Sequence, residues 1–124
     1  MRSIATLKQQ VKELVEGISG VTAFYDICPN NIKTGILIAR DVTEFTGRVI
    51  DGDAHIAHHG FDVTVFSFEN ADVCDDITVT LVNATDGKYS QDFRLIMVNS
   101  ITPSDYDPDS GFWANVISME FVER

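Results

Sequence analysis

The sequence predicts an α+β domain with a mainly antiparallel sheet. Three observations carry that expectation. Apolar residues recur at steps of three and four over residues 4–18. Six later stretches are apolar, β-branched or aromatic, and turn residues separate most of them. Between them, residues 71–85 carry the start and stop signals of a second helix. The order is helix, several strands, helix, two strands, in a single domain spanning 1–124.

The first helix rests on Ile4, Leu7, Val11, Leu14, Val15 and Ile18, which draw one apolar stripe. Lys8, Gln9, Lys12, Glu13 and Glu16 fill its other side, Ser3 suits its start, and Gly17 and Gly20 suit its end. Residues 21–25 are a short strand, and Cys28-Pro29-Asn30-Asn31 breaks it as a turn. Residues 36–42 form another. Residues 45–50 and 56–68 flank Asp51-Gly52-Asp53 as the arms of a long hairpin. Residues 93–101 and 112–122 are the last two strands, joined by a loop over 102–111 whose Pro103 and Pro108 oppose regular structure.

Residues 71–85 read two ways. Val73, Ile77, Leu81 and Ala84, with Cys74 and Val82 beside them, fit a helical stripe. Asn70 is a cap, Asp72, Asp75 and Asp76 suit the positive end of a helix dipole, and Gly87 is a stop. Against this, Ile77-Thr78-Val79-Thr80-Leu81-Val82 is β-branched and alternates. Agreement of cap, acidic turn and stop favours the helix.

In the last strand Trp113, Ile117, Met119 and Phe121 share one face. Phe112, Ala114, Val116 and Val122 share the other, interrupted by Ser118 and Glu120. A sheet covered by helices on one side normally shows polar residues on the other. Here the second face is too apolar to leave wet, so self-association is expected.

The chain has 124 residues and a net charge of −10, and the acid is unevenly placed. Residues 1–50 hold six basic and five acidic groups, net +1, whereas residues 51–124 hold three and fourteen, net −11. A conventional nucleic-acid binder needs a dense basic face, and so does an unassisted binder of anionic membranes. Neither is expected. No stretch of about 20 apolar residues is present to span a bilayer, and residues 1–10 have no signal-peptide run. Cys28 and Cys74 lack partners at zinc-ligand spacing and read as reduced structural thiols of a cytosolic compartment.

Candidate chemistry is sparse. In His55-Ile56-Ala57-His58-His59, a strand puts His55 and His59 on one face and His58 on the other. A helix would bring two histidines to one metal, but the strand-like residues that follow oppose it and no zincin glutamate is present. The expectation is a hairpin arm whose histidines are solvated or contact a neighbour. Asp105, Asp107 and Asp109 alternate like the start of a calcium loop. The sixth and twelfth positions, Ser110 and Val116, lack the glycine and glutamate that such a loop requires. A solvated acidic loop is the expectation there. No nucleophile elbow, phosphate-binding loop or dinucleotide fingerprint occurs, so neither an enzyme nor a cofactor is expected. Phe45, Arg48, Val49 and Ile50 form an arm beside the acidic hairpin turn. Arg48 there either pairs with acid on a neighbouring subunit or is an ordinary surface arginine.

The layout resembles the tail terminator (tail completion) proteins of long-tailed bacteriophages. Three stretches carry the likeness: the 4–18 helix leading into Val21-Thr22-Ala23-Phe24-Tyr25; His58-His59-Gly60-Phe61-Asp62-Val63-Thr64-Val65-Phe66-Ser67-Phe68 followed by the 71–85 helix; and the closing aromatic strand. The resemblance implies a structural virion protein, not an enzyme, assembled in the host cytoplasm and located at the head-proximal end of the tail. It implies a hexameric ring that ends tube polymerisation and contacts the tail tube protein and a neck or head-completion protein. Genome DNA would pass its channel without sequence-specific binding. On that picture Phe45, Arg48, Val49, Ile50, His55, His59 and Trp113 are candidate subunit contacts, and acid lining the channel would keep DNA from sticking. Other neck, head-completion or tube components share this layout, and a small metal-assisted hydrolase using the histidine cluster is the remaining alternative.

Overall fold

The computed structural model describes residues 1–27, 29, 31–46, 56–109 and 111–124, with backbone alone at 46 and 104–107. The elements run α1 (Ile4–Ser19), β1 (Ala23–Tyr25), β2 (Thr34–Thr46), β3 (Ile56–Ser67), α2 (Ala71–Thr85), β4 (Phe93–Asp107) and β5 (Phe112–Glu123). They build the expected α+β architecture: one five-stranded sheet in the order β1-β2-β3-β5-β4, with α1 and α2 on one face. Every pairing is antiparallel except β1 with β2, which is parallel.

α1 forms where the periodicity places it. The Ser3 hydroxyl accepts from the Thr6 N–H at 3.2 Å, and Gly20 ends the helix in the left-handed region at φ 71°. Leu7, Val11 and Val15 are fully buried, with Ile4, Leu14 and Ile18 packed around them.

α2 takes the helical alternative. Asn70 caps it by accepting from the Val73 N–H at 2.9 Å, and of the three aspartates only Asp72 lies in the first turn. The expected stripe is rotated: Cys74, Thr78, Leu81 and Thr85 face inward, and Ala84 is exposed. The threonines that argued for a strand fit because their hydroxyls bond back into the helix. Thr78, Thr80 and Thr85 donate to the carbonyls of Cys74, Asp76 and Leu81 at 2.9, 2.9 and 2.7 Å. The Cys74 thiol donates to the Val65 carbonyl at 3.1 Å, and burial raises its pKa, as suits an inert structural thiol.

Two strand expectations change. The separate stretches 36–42 and 45–50 belong, as far as Thr46, to one strand, β2. A bulge sets Asp41 and Val42 opposite Gly60, between the pairs Arg40–Phe61 and Thr43–His59. The extra residue flips the inward-facing set from even to odd numbers, which reads in sequence as a break. The expected 102–111 loop is shorter, because β4 continues through Pro103 to Asp107. Pro103 is tolerated there because β4 is an edge strand, where a missing N–H leaves no ladder partner unpaired.

Gly60 is required by that bulge. A Cβ at this position would lie 2.9 Å from the Val42 carbonyl oxygen and 3.3 Å from the Asp41 Cβ. Gly60→Ala is expected to cost about 1–3 kcal/mol by forcing backbone apart, read as a lower urea midpoint at unchanged denaturant slope.

Candidate functional site

The side chains of β3 and β5 alternate, so parity sorts them between two environments. Odd-numbered Phe61, Val63, Val65, Ile117, Met119 and Phe121 join the core beneath the helices. Even-numbered residues point to the opposite face, which neither helix covers: His58 beside Val122, Gly60 beside Glu120, Asp62 beside Ser118, Thr64 beside Val116 and Phe66 beside Ala114. This open face is the candidate site.

It has an apolar end and a polar middle. At the end formed by the close of β3 and the start of β5, Phe66, Phe68 and Phe112 make a chain of ring contacts at 6.2 and 5.6 Å. Phe68 is 44% exposed. Leu95 and Met97 on β4 extend apolar surface beside Val122 and Glu120. In the middle, Asp41, Glu44, His58 and Glu120 line a shallow hollow of about 130 Å³ at the bulge. His58 hydrogen-bonds Glu120 through Nδ1. Burial, then the charge of Asp41, raises the Asp62 carboxyl above its ordinary pKa. No three His, Cys, Asp or Glu side chains among the described residues converge as a metal site.

The expected site residues separate. Arg48, Val49, Ile50, His55 and the Asp51-Gly52-Asp53 turn lie outside the described residues, as do the side chains of Asp105 and Asp107. Asp109 is exposed in the turn between β4 and β5, and Phe45 is half-buried on β2. Trp113 packs against the core. His59 departs most from expectation. It is fully buried on the helix side, so it is neither solvated nor available to a neighbour.

There it belongs to a polar chain that sequence reasoning missed. His59 Nε2 lies 2.8 Å from Glu123 Oε2, and Nδ1 lies 3.1 Å from Thr43 Oγ1. Glu123 also accepts the Arg2 backbone N–H at 2.8 Å, with the Arg2 guanidinium 3.6 Å away. Burial alone would raise the Glu123 pKa. Hydrogen bonds from His59 and Arg2, with the charges of His59 and the amino terminus, outweigh it and hold the carboxyl below its usual range. The group ties the start of α1 to β2, β3 and β5. Its members are up to 121 residues apart, so no local pattern announces it.

Charge follows the strands more than the halves of the sequence. Glu69, Asp72, Asp75, Asp76, Asp105, Asp107 and Asp109 all fall at the end where β3 and β4 finish and β5 begins. Lys88, Arg94 and Arg124 fall at the opposite end.

No family model matches the chain, and no curated protein matches it. Among solved structures, a chain of the "Virion of native gene transfer agent (GTA) particle" shares its fold. The match has a TM-score of 0.55 and 12% identity, over 96% of this chain and 91% of that one. At that identity the likeness is one of fold.

Proposed function

We propose that this chain is a structural protein of a phage-like virion, forming a hexameric ring at the head-proximal end of a tail tube. In that role it ends tube polymerisation and joins the tail to the head or neck, without catalysis. The observation that carries the reading is the near end-to-end fold match with a chain of a gene transfer agent virion. A second feature agrees with it. The sheet keeps one face free of helices, with aromatic surface at one end, as a subunit awaiting neighbours would. The acid excess suits a channel that DNA must cross without adhering.

Negative-stain images of the purified protein are expected to show six-fold rings with a central hole. Particles assembled without it are expected to carry tubes of irregular length, unattached to heads. Tails of normal length joined to heads in its absence would overturn the role.

A further inference from the structure

The two ends of the sheet are complementary, and both are on one chain. At the first, the Phe68 and Phe112 rings meet at 5.6 Å, and exposed Glu69, Asp72, Asp76 and Asp109 fall at the same end of the molecule. Among the described residues, Lys33 is the single base there. At the second, Tyr89 is 76% exposed, and the Arg124 guanidinium stands 5.6 Å over its ring. Lys88 and Arg94 are exposed beside them. Acid is present at this end too, but much of it is engaged. Glu123 is held by His59 and Arg2, and Asp86 accepts the Val98 N–H at 2.9 Å. Among the described residues, half-buried Asp92 and exposed Glu44 are the other side-chain carboxylates near this end.

A twelve-residue strand such as β3 separates the two ends by about 40 Å, so they cannot meet within one molecule. We infer that the Phe68–Phe112 end of one subunit docks the Tyr89–Arg124 end of a second copy of this chain. The contact is heterologous: each subunit gives one surface and receives the other, the arrangement that closes into rings. Tyrosine and arginine are the residue types that anchor interfaces, and the acid rim selects a basic occupant. A second copy is favoured over a basic partner of another kind because the matching surface is already displayed by this chain. The inference rests on the ring reading above and specifies its contact.

The test uses two charge-reversed full-length variants, Glu69→Lys with Asp76→Lys, and Arg94→Glu with Arg124→Glu. Sedimentation velocity in about 50 mM salt, where screening is weak, is expected to show self-association of the unaltered chain. Each variant alone is expected to associate about tenfold or more weakly, because like charges then face each other. An equimolar mixture is expected to restore association, since every contact between unlike variants is again of opposite charge. Restoration also shows that both variants fold. Assembly that is indifferent to both variants overturns this contact and leaves the ring reading standing. An unaltered chain that stays monomeric at high concentration overturns both. Loss of tail joining by the Lys variant, with self-association intact, assigns the acidic end to a different protein and overturns the inference.

Discussion

Phe121→Ala is expected to be among the most destabilising single changes in the molecule, at about 3–5 kcal/mol. Phe121 is fully buried on the helix-covered face, near the end of β5. Its ring meets Phe61 edge-on at 5.7 Å and Phe93 at 5.0 Å. Phe93 in turn lies under the Arg2 guanidinium at 5.6 Å. Truncation therefore removes apolar burial, opens a cavity and deletes two aromatic contacts worth about 0.5–1.5 kcal/mol each. The surrounding wall belongs to hydrogen-bonded strands, so collapse into the cavity is restricted. A domain of this size holds about 5–15 kcal/mol in total, so the variant should sit close to its unfolding transition. Urea titration checks this. Phe121→Leu keeps most of the volume and should lose far less. Equal losses for the two replacements would mean that the ring contacts, and not the volume, dominate.

His59→Leu should be nearly as costly, about 3 kcal/mol, through a different mechanism. Leucine fits the space but leaves the Glu123 carboxylate, 12% exposed, without its imidazole partner. Replacing both, as His59→Leu with Glu123→Leu, should recover part of the loss, because the carboxylate goes with its imidazole partner and the Arg2 guanidinium, 25% exposed, is left to water. The pH dependence has a definite sign. The folded-state pKa of Glu123 is lowered, so the unfolded chain takes up its proton first as pH falls. The stabilisation is complete above the unfolded value, near 4.3. It declines as pH drops below that value and is gone below the folded pKa. Urea midpoints measured from about pH 6 downwards should show this decline, and Glu123→Gln should remove it. A variant that kept the same acid slope would assign the slope to other carboxylates.

Much of the architecture could be read from local pattern, and the failures have local causes. α1 is legible because stripe, cap and stop agree at Leu7, Ser3 and Gly20. α2 was ambiguous because threonine is β-branched, and only the hydroxyl bonds to the preceding turn reveal why it is accommodated. β2 reads as two pieces because the bulge at Asp41–Val42 shifts the alternation. A second bulge, at Asn99 between the Val98–Met119 and Ser100–Ser118 pairs, does not hide β4, because residues 93–101 still read as one strand. Pro103 argues for a loop until β4 is known to be an edge, and edge position is a property of the whole sheet. The two-sided apolar pattern of residues 112–122 points to a second buried face, whereas the side away from the helices mixes Val116 and Val122 with Ser118 and Glu120. His59 was misplaced because a strand's parity says that neighbouring histidines diverge, but not which one turns inward. The complementary ends were invisible for a similar reason. Glu69 and Asp109 are forty residues apart in the chain and share one end only because β3 and β4 point the same way.

The strand order also governs when the molecule can fold. β5 lies between β3 and β4, and among the described residues β4 pairs with no other strand. Until residues 112–123 have left the ribosome, β3 lacks one neighbour and β4 lacks the one strand neighbour it has among the described residues. Phe121, Ile117 and Met119 are also missing from the core during that time. Folding of such a non-local sheet is slow and cooperative, and unpaired strands are an invitation to aggregate while it waits. Production of this protein should therefore respond strongly to temperature and to chaperone supply, although the completed sheet buries the same strands securely.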